Sequence, residues 1–185
     1  SFLEEACARG LKFTIGFNFQ QYGAGMLMSD LDNDGDLDIV VSGGSTGSFG
    51  IYENDGSGNF TNRSFTAGFI YMSMSSGMAA ADYDNDGDLD LFLTVVFQTN
   101  RLYRNEGDGR FTDVTEATGV GGGKHVTHEA VWFDFDNDGL LDFYVANFGP
   151  WPNGDNPDLT IRNKTAPPNP LFHPQVTDAT PRLKE

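Results

Sequence analysis

Asp30-Leu31-Asp32-Asn33-Asp34-Gly35-Asp36-Leu37-Asp38 returns as Asp82-Tyr83-Asp84-Asn85-Asp86-Gly87-Asp88-Leu89-Asp90 and as Asp134-Phe135-Asp136-Asn137-Asp138-Gly139-Leu140-Leu141-Asp142, in two steps of 52 residues. The shared pattern, Asp-x-Asp-x-Asp-Gly-x-x-Asp, has the chemistry of a loop for a hard cation. Ca²⁺ takes about six to eight oxygens at roughly 2.3 to 2.6 Å, and carboxylates at alternate positions of a tight turn converge on one point. Loop positions one, three, five and nine are expected to offer side-chain oxygens: Asp30, Asp32, Asp34 and Asp38; Asp82, Asp84, Asp86 and Asp90; Asp134, Asp136, Asp138 and Asp142. Position seven, held by Asp36, Asp88 and Leu140, is expected to offer a backbone carbonyl, a role that leaves the leucine side chain free. Gly at position six permits the positive φ of the turn, and Asn at position four tolerates the left-handed region better than most residues.

These loops differ from EF-hands, which place a bidentate Glu at position twelve. Here that position is Val41, Leu93 or Val145. Short β-branched and aromatic runs follow each loop, Ile39-Val40-Val41, Leu91-Phe92-Leu93 and Phe143-Tyr144-Val145, and read as buried strands. Similar segments precede each loop at residues 25–28, 77–80 and 129–132, so each loop joins two strands. Without an ion, each loop would crowd four or five carboxylates whose like charges oppose folding. Three copies of such a loop predict three Ca²⁺ sites, and Mg²⁺, with its strict octahedral demand, suits them less well.

A second element recurs after the first two loops: Ile51-Tyr52-Glu53-Asn54-Asp55-Gly56-Ser57-Gly58-Asn59-Phe60-Thr61 and Leu102-Tyr103-Arg104-Asn105-Glu106-Gly107-Asp108-Gly109-Arg110-Phe111-Thr112. An apolar-Tyr strand, a two-glycine turn and a Phe-Thr strand make a hairpin. Each repeat thus holds four strands, and a four-stranded antiparallel unit of about 50 residues is the signature of a β-propeller blade. The expected fold is all-β, a partial propeller of about three blades in one unit. Residues 1–11, of which Phe2 to Leu11 align without gaps on Phe111 to Val120, are expected as the last strand of a preceding blade. Residues 12–66, 67–120 and 121–185 form blades one to three. Residues 149–170 interrupt the third, and seven of the eight prolines fall between Pro150 and Pro174.

The chain carries 11 Lys plus Arg against 27 Asp plus Glu, a formal charge of −16, and 14 of the acidic residues lie in the loops. Such an acidic surface repels nucleic acid and anionic membranes, and no 18-residue apolar run suggests membrane insertion. With a single cysteine, Cys7, the chain has no internal disulfide. Calcium supplies the cross-links instead, and the weak affinity usual for extracellular Ca²⁺ modules suits a secreted or cell-surface location, or the periplasm of a bacterium. Asn62 and Asn163 fit the glycosylation acceptor pattern.

These residues resemble the FG-GAP/VCBS repeat family, the calcium-loop blades also found in the integrin alpha-chain propeller. The likeness is closest to the subgroup that includes cartilage acidic protein and the bacterial ASPIC/UnbV proteins. It rests on residues 102–115, Leu-Tyr-Arg-Asn-Glu-Gly-Asp-Gly-Arg-Phe-Thr-Asp-Val-Thr, following a calcium loop, and on residues 144–152. The resemblance implies a secreted or surface-exposed seven-bladed propeller, with Ca²⁺ between the first two strands of a blade, acting in adhesion or recognition.

No Ser/His/Asp constellation or phosphate-cradling loop stands apart from the metal loops, so the expectation is a non-enzymatic module. Its partners would be an extracellular protein or a glycan, with self-association completing the propeller as a further possibility. A lectin-like module would use Trp151 to stack on a sugar. An accessory propeller of a secreted enzyme and a self-assembling surface protein are the other readings. His125 and His128 at HxxH spacing would point to opposite faces of a strand, against a shared metal. Met26, Met28, Met72, Met74 and Met78 are expected to pack in the core or channel, and Cys7 is expected to be partly buried.

Overall fold

The structure, a computed structural model, describes residues 5–13, 24–43, 48–69, 75–122 and 125–147. The side chains of Ser48 and His125 lie outside that description, as do Met72, Met74, Trp151, Asn163 and the whole of the 149–170 interruption. The described chain is all-β, with one helical turn. Blade one is an antiparallel meander of β1 (Ala24–Ser29), β2 (Asp38–Gly43), β3 (Ser48–Asn54) and β4 (Phe60–Asn62). Blade two repeats it with β5 (Ser75–Ala81), β6 (Asp90–Gln98), β7 (Arg101–Asn105) and β8 (Phe111–Asp113), followed by α1 (Thr115–Thr118). Of blade three the described part is β9 (His125–Phe133) and β10 (Asp142–Asn147).

The register repeats with the sequence. Met26 pairs with Val41, Met78 with Leu93 and Ala130 with Val145, three pairs related by the same 52-residue step. The sheets form partial propeller blades and do not close into a ring.

Blade two holds its neighbours by burying both faces of its sheet. Along β6, Leu91 and Leu93 turn toward blade one and pack with Met78, Tyr103 and Phe111 against Leu31, Val40, Ile51 and Ala67. Phe92, the residue between them, turns the other way and packs with Tyr83 and Leu102 against Ala130, Phe143 and Val145 of blade three. A period of two thus feeds two separate cores. Each fully buried side chain of this size contributes about 1.5–3 kcal/mol relative to exposure, so a blade without neighbours forfeits most of its stabilisation.

The polypeptide between blades adds a second join. Ala67 O accepts a hydrogen bond of 2.8 Å from Phe111 N, and Arg9 O accepts one of 2.7 Å from Phe60 N. The residue after each acceptor is glycine because the next blade leaves no room. A Cβ at Gly68 would lie 2.2 Å from Phe111 O, and one at Gly10 would lie 2.0 Å from Phe60 O.

Several features depart from the sequence expectation. Residues 5–10 are a turn, not a strand, closed by Arg9 N to Glu5 O and Leu11 N to Ala6 O hydrogen bonds. The matching part of blade two is α1, which ends at Gly119 in the left-handed conformation. Cys7 on that turn is exposed, because the turn docks through its backbone and aims this position outward. Met78 is core, whereas Met26 and Met28 are exposed, since no blade among the described residues packs on that side of blade one. Strand β6 also runs past its own blade. Beyond a bulge at Phe97, whose φ is +60°, Val96 and Gln98 pair with Val126 and His125 of β9.

Candidate metal centre

Each of the three loops spans the gap between the first two strands of a blade: β1 to β2, β5 to β6 and β9 to β10. Their wiring is the same. The position-one carboxylate accepts two backbone N–H groups of the turn: Asp30 from Asp34 at 3.1 Å and Gly35 at 3.0 Å, Asp82 from Asp86 and Gly87 at 3.0 Å each, and Asp134 from Asp138 at 3.2 Å and Gly139 at 2.9 Å. The position-five carboxylate accepts the position-seven N–H at 2.9 to 3.0 Å, from Asp36, Asp88 and Leu140 in turn. The position-nine carboxylate accepts the position-two N–H, from Leu31, Tyr83 and Phe135. Asn33, Asn85 and Asn137 stand at φ of 61°, 59° and 60°, and Gly35, Gly87 and Gly139 at 92°, 97° and 86°. The left-handed step at position four and the wider positive φ at position six coil the loop inward.

Coiling gathers the carboxylates. Oxygens of Asp30, Asp32 and Asp38, of Asp82, Asp84 and Asp86, and of Asp134, Asp136 and Asp142 lie within 4.8 Å of one another in each group. Oxygens that share one Ca²⁺ at about 2.4 Å stand no farther apart than roughly twice that distance, so the spacing fits. Asp36 and Asp88 place their carboxylates elsewhere, over the hairpin of their own blade. A Cβ on Gly56 would lie 2.5 Å from Asp36 Oδ2, and one on Gly107 2.8 Å from Asp88 Oδ2. The ligand role expected at position seven is that of the backbone carbonyl, which Asp36 and Asp88 share with Leu140.

The electrostatics are those of a cation site. Asp32 Oδ1 and Asp84 Oδ1 are buried oxygens with no hydrogen-bond partner. A buried, unpaired carboxylate oxygen costs several kcal/mol unless a positive charge meets it. Burial, then the charges of Asp38 and Asp34, pushes the Asp32 carboxyl up; burial, then Asp86 and Asp82, does the same for Asp84. Asp90 is pushed up to about 7, chiefly by burial, despite hydrogen bonds from Asn105 N and Tyr83 N. Burial likewise raises Asp38 and Asp142. Arg63 and Arg104 pair with Glu53 and Glu106; Arg104 also draws Asp84 down, but burial and the neighbouring carboxylates outweigh it. Each group holds three of the four side-chain ligands expected from the sequence and leaves out Asp34, Asp90 and Asp138 respectively; a divalent cation among the gathered oxygens would offset their mutual repulsion.

Two residues that position the site escaped the sequence reading. Asn54 N donates to Asp38 Oδ1 at 2.9 Å and Asn105 N to Asp90 Oδ1 at 2.8 Å, so the position-nine carboxylates of the first two loops are held from the third strand of their blades. The available signal was the Tyr-x-Asn step at Tyr52-Glu53-Asn54 and Tyr103-Arg104-Asn105. His125 and His128 both fall on β9; no cation cluster among the described residues includes a histidine.

The FG-GAP-like repeat matches this chain twice, over residues 30–93 and 82–145, each match running from one metal loop into the strand after the next. The chain is 31% identical to mouse (Mus musculus) cartilage acidic protein 1 over 142 residues, and 30% identical to its Xenopus tropicalis counterpart over 143. The human protein is also 30% identical, over 142 residues. These alignments cover 69% of this chain and 20 to 21% of the relatives, so the chain spans about a fifth of their length. With two overlapping matches that begin at loop position one and end in the strand after the next loop, the chain belongs to the FG-GAP-like repeat family.

Proposed function

We propose that this chain is a non-catalytic, calcium-stabilised β-propeller module of an extracellular or cell-surface protein that acts in protein recognition or adhesion. The observation that carries the calcium reading is the pair of buried, partnerless oxygens at the same position of two loops, Asp32 Oδ1 and Asp84 Oδ1. Calcium's part is structural. Bound by Asp30, Asp32, Asp34 and Asp38 with the Asp36 carbonyl, and by the matching residues of the other loops, it cancels carboxylate repulsion and fixes the path between the first two strands.

Location follows from affinity. Loops of this openness, with their position-five carboxylates exposed, suit the range of about 10⁻⁴ to 10⁻³ M usual for extracellular modules, which cytosolic calcium would leave empty. Family membership and the likeness to cartilage acidic protein 1 support the same setting. Among the described residues no helix is long and apolar enough to cross a membrane. The non-catalytic reading draws on the chemistry of the gathered carboxylates, which as calcium ligands are poor proton donors.

Calorimetric titration of the chelated protein with Ca²⁺ and with Mg²⁺ tests the metal reading. Three sites that favour Ca²⁺ are expected; absent heat with Ca²⁺, or a Mg²⁺ preference, contradicts it. For location and role, immunostaining of the producing cells with and without permeabilisation is the direct test, and a signal confined to permeabilised cells contradicts it.

A further inference from the structure

The hydrogen bonds that join the first two loops come from fixed positions of the repeat, and the third loop lacks the residue type that one of them needs. Asn33, at position four of the first loop, donates from Nδ2 to Asp88 Oδ1, at position seven of the second, at 2.6 Å. A second link runs through Asn105, which is only 1% exposed. Its Nδ2 donates to Leu31 O of the first loop at 2.7 Å and to Leu89 O of the second at 3.2 Å, so one amide group spans both loops. The hairpin that follows Asn105 also closes on the first loop, where a Cβ on Gly109 would lie 3.5 Å from Asp32 Cβ. In the third loop position seven is Leu140, whose side chain offers no acceptor to Asn85, the counterpart of Asn33.

We propose that the first two loops take up Ca²⁺ as a coupled pair, an ion in one raising the affinity of the other through Asn33 and Asn105. This coupling presupposes the calcium-site reading of the loops and adds to it a relation between two sites. The physical cause is shared ordering. A loop without an ion holds its coil against the mutual repulsion of its carboxylates, and an ion removes that opposition. Once the first loop is fixed, Leu31 O and Asn33 are fixed too, and with them the partners of Asn105 and Asp88. The second loop then loses less conformational freedom when its own ion arrives, which is positive cooperativity. By linkage the effect is equal in the other direction. Neither link uses a group that an ion would take. The ligand expected from Asp88 is its backbone carbonyl, and Leu31 and Leu89 stand at positions two and eight, so both loops can fill with the links intact.

Charge works against the coupling. An ion in one loop weakens the negative potential that attracts an ion to the next, and this holds for any two neighbouring loops. At about 0.15 M salt the screening length is roughly 8 Å, which damps the effect. Repulsion of this kind is the same with and without the Asn33 amide, so a substitution that removes the amide and leaves the charge alone isolates the link.

The test is calorimetric titration of the full 185-residue chain, first chelated and then held at about 0.15 M KCl, with CaCl₂ alone as the probe. Asp136→Ala disables the third loop and leaves the first two as the measured pair, and melting curves in Ca²⁺ check that each variant folds. Filling one loop is expected to raise the affinity of the other about fivefold, the low end of common coupling between sites, which gives a Hill coefficient of about 1.4. In that background Asn33→Gly, which keeps the positive φ of 61° at position four, is expected to bring the coefficient down toward 1, and so is Asn105→Ala. Asp88→Leu copies the third loop and is expected to do the same, which assigns the effect to the bond and not to the flexibility of a glycine. Conversely, Leu140→Asp gives the third loop a carboxylate for Asn85; with the first loop disabled by Asp32→Ala, it is expected to raise the coefficient for loops two and three. The calcium reading and the coupling fail separately. No bound ion in any loop overturns both. Two bound ions in the Asp136→Ala chain with a coefficient of 1 or below, or with one that stays unchanged in Asn33→Gly, Asn105→Ala and Asp88→Leu, overturn the coupling and leave the calcium reading standing.

Discussion

Asn105 ties blade two to the acidic loop of blade one: its Nδ2 donates to Leu31 O at 2.7 Å, between Asp30 and Asp32 of that loop. Through its backbone N–H the same residue holds Asp90, in the loop of its own blade. The two loops meet again where Asn33 Nδ2 donates to Asp88 Oδ1 at 2.6 Å. Two loops on neighbouring blades are thus parts of one hydrogen-bonded structure.

Replacing Asn105 by Ala removes the side-chain bonds to Leu31 O and Leu89 O and the one accepted from Gly107 N, while sparing the backbone bond to Asp90. A loss of about 1–3 kcal/mol is expected, read as a lower midpoint in denaturant. Calcium titration of Asn105→Ala should also show weaker binding at more than one site, since the side chain braces the loop of blade one. Unchanged stability and unchanged affinities would show that the bridge carries no energy.

Asp84→Asn separates the cost of the loop from its use. In chelator the substitution removes a charge that burial and its neighbours oppose, so the midpoint should rise. In saturating Ca²⁺ it removes a ligand, so the midpoint should fall below wild type. Thermal melts in both buffers read this crossing of signs, and a shift in the same direction in both would contradict the assignment of Asp84 as a ligand.

For the ion-free protein, Asp90 sets a pH dependence. Its folded value of about 7 lies above the unfolded carboxyl value near 4. The folded chain therefore holds a proton that the unfolded chain releases between those limits. The resulting contribution to stability is fully present below about pH 4 and is lost as pH rises through about 7. Ion-free protein should accordingly gain from this group between about pH 8 and pH 5. Calcium reverses the order, because ligation needs the ionised carboxylates. Melts at the two pH values, with and without Ca²⁺, check the reversal; parallel trends would contradict it.

Gly68 and Gly119 occupy equivalent positions with φ of +91° and +72°, yet a Cβ on Gly68 meets Phe111 O at 2.2 Å and one on Gly119 meets nothing within 4 Å. Gly119→Ala should cost about 1–2 kcal/mol, the left-handed penalty alone. Gly68→Ala adds a backbone collision at the joint between blades and should cost clearly more. Chemical denaturation of the two variants decides, and equal losses would show that the joint adjusts freely.

Much of this was legible before any coordinates. Alternating aspartates around Gly35, Gly87 and Gly139 prescribe a coiled loop, and the β-branched runs after them prescribe strands, because both are local chemistry repeated at a fixed step. Less legible was whatever depends on which blade covers which face. Met26 and Met78 read alike in sequence, and only the neighbour across the interface makes one exposed and the other core. The outward aim of Cys7 follows from a turn that docks through Arg9 O, a backbone contact without a side-chain signature. The reach of β6 to β9 depends on the left-handed Phe97, which a bulky residue does not advertise.

The measurement that bears most directly on the account is the melting midpoint of the chelated chain as Ca²⁺ is restored, paired with the calorimetric number of sites. At a free concentration about ten times Kd, each site would add about 1.4 kcal/mol. The account predicts three bound ions and a midpoint that climbs steadily with calcium. A midpoint indifferent to millimolar calcium, with no bound ion detected, would contradict it.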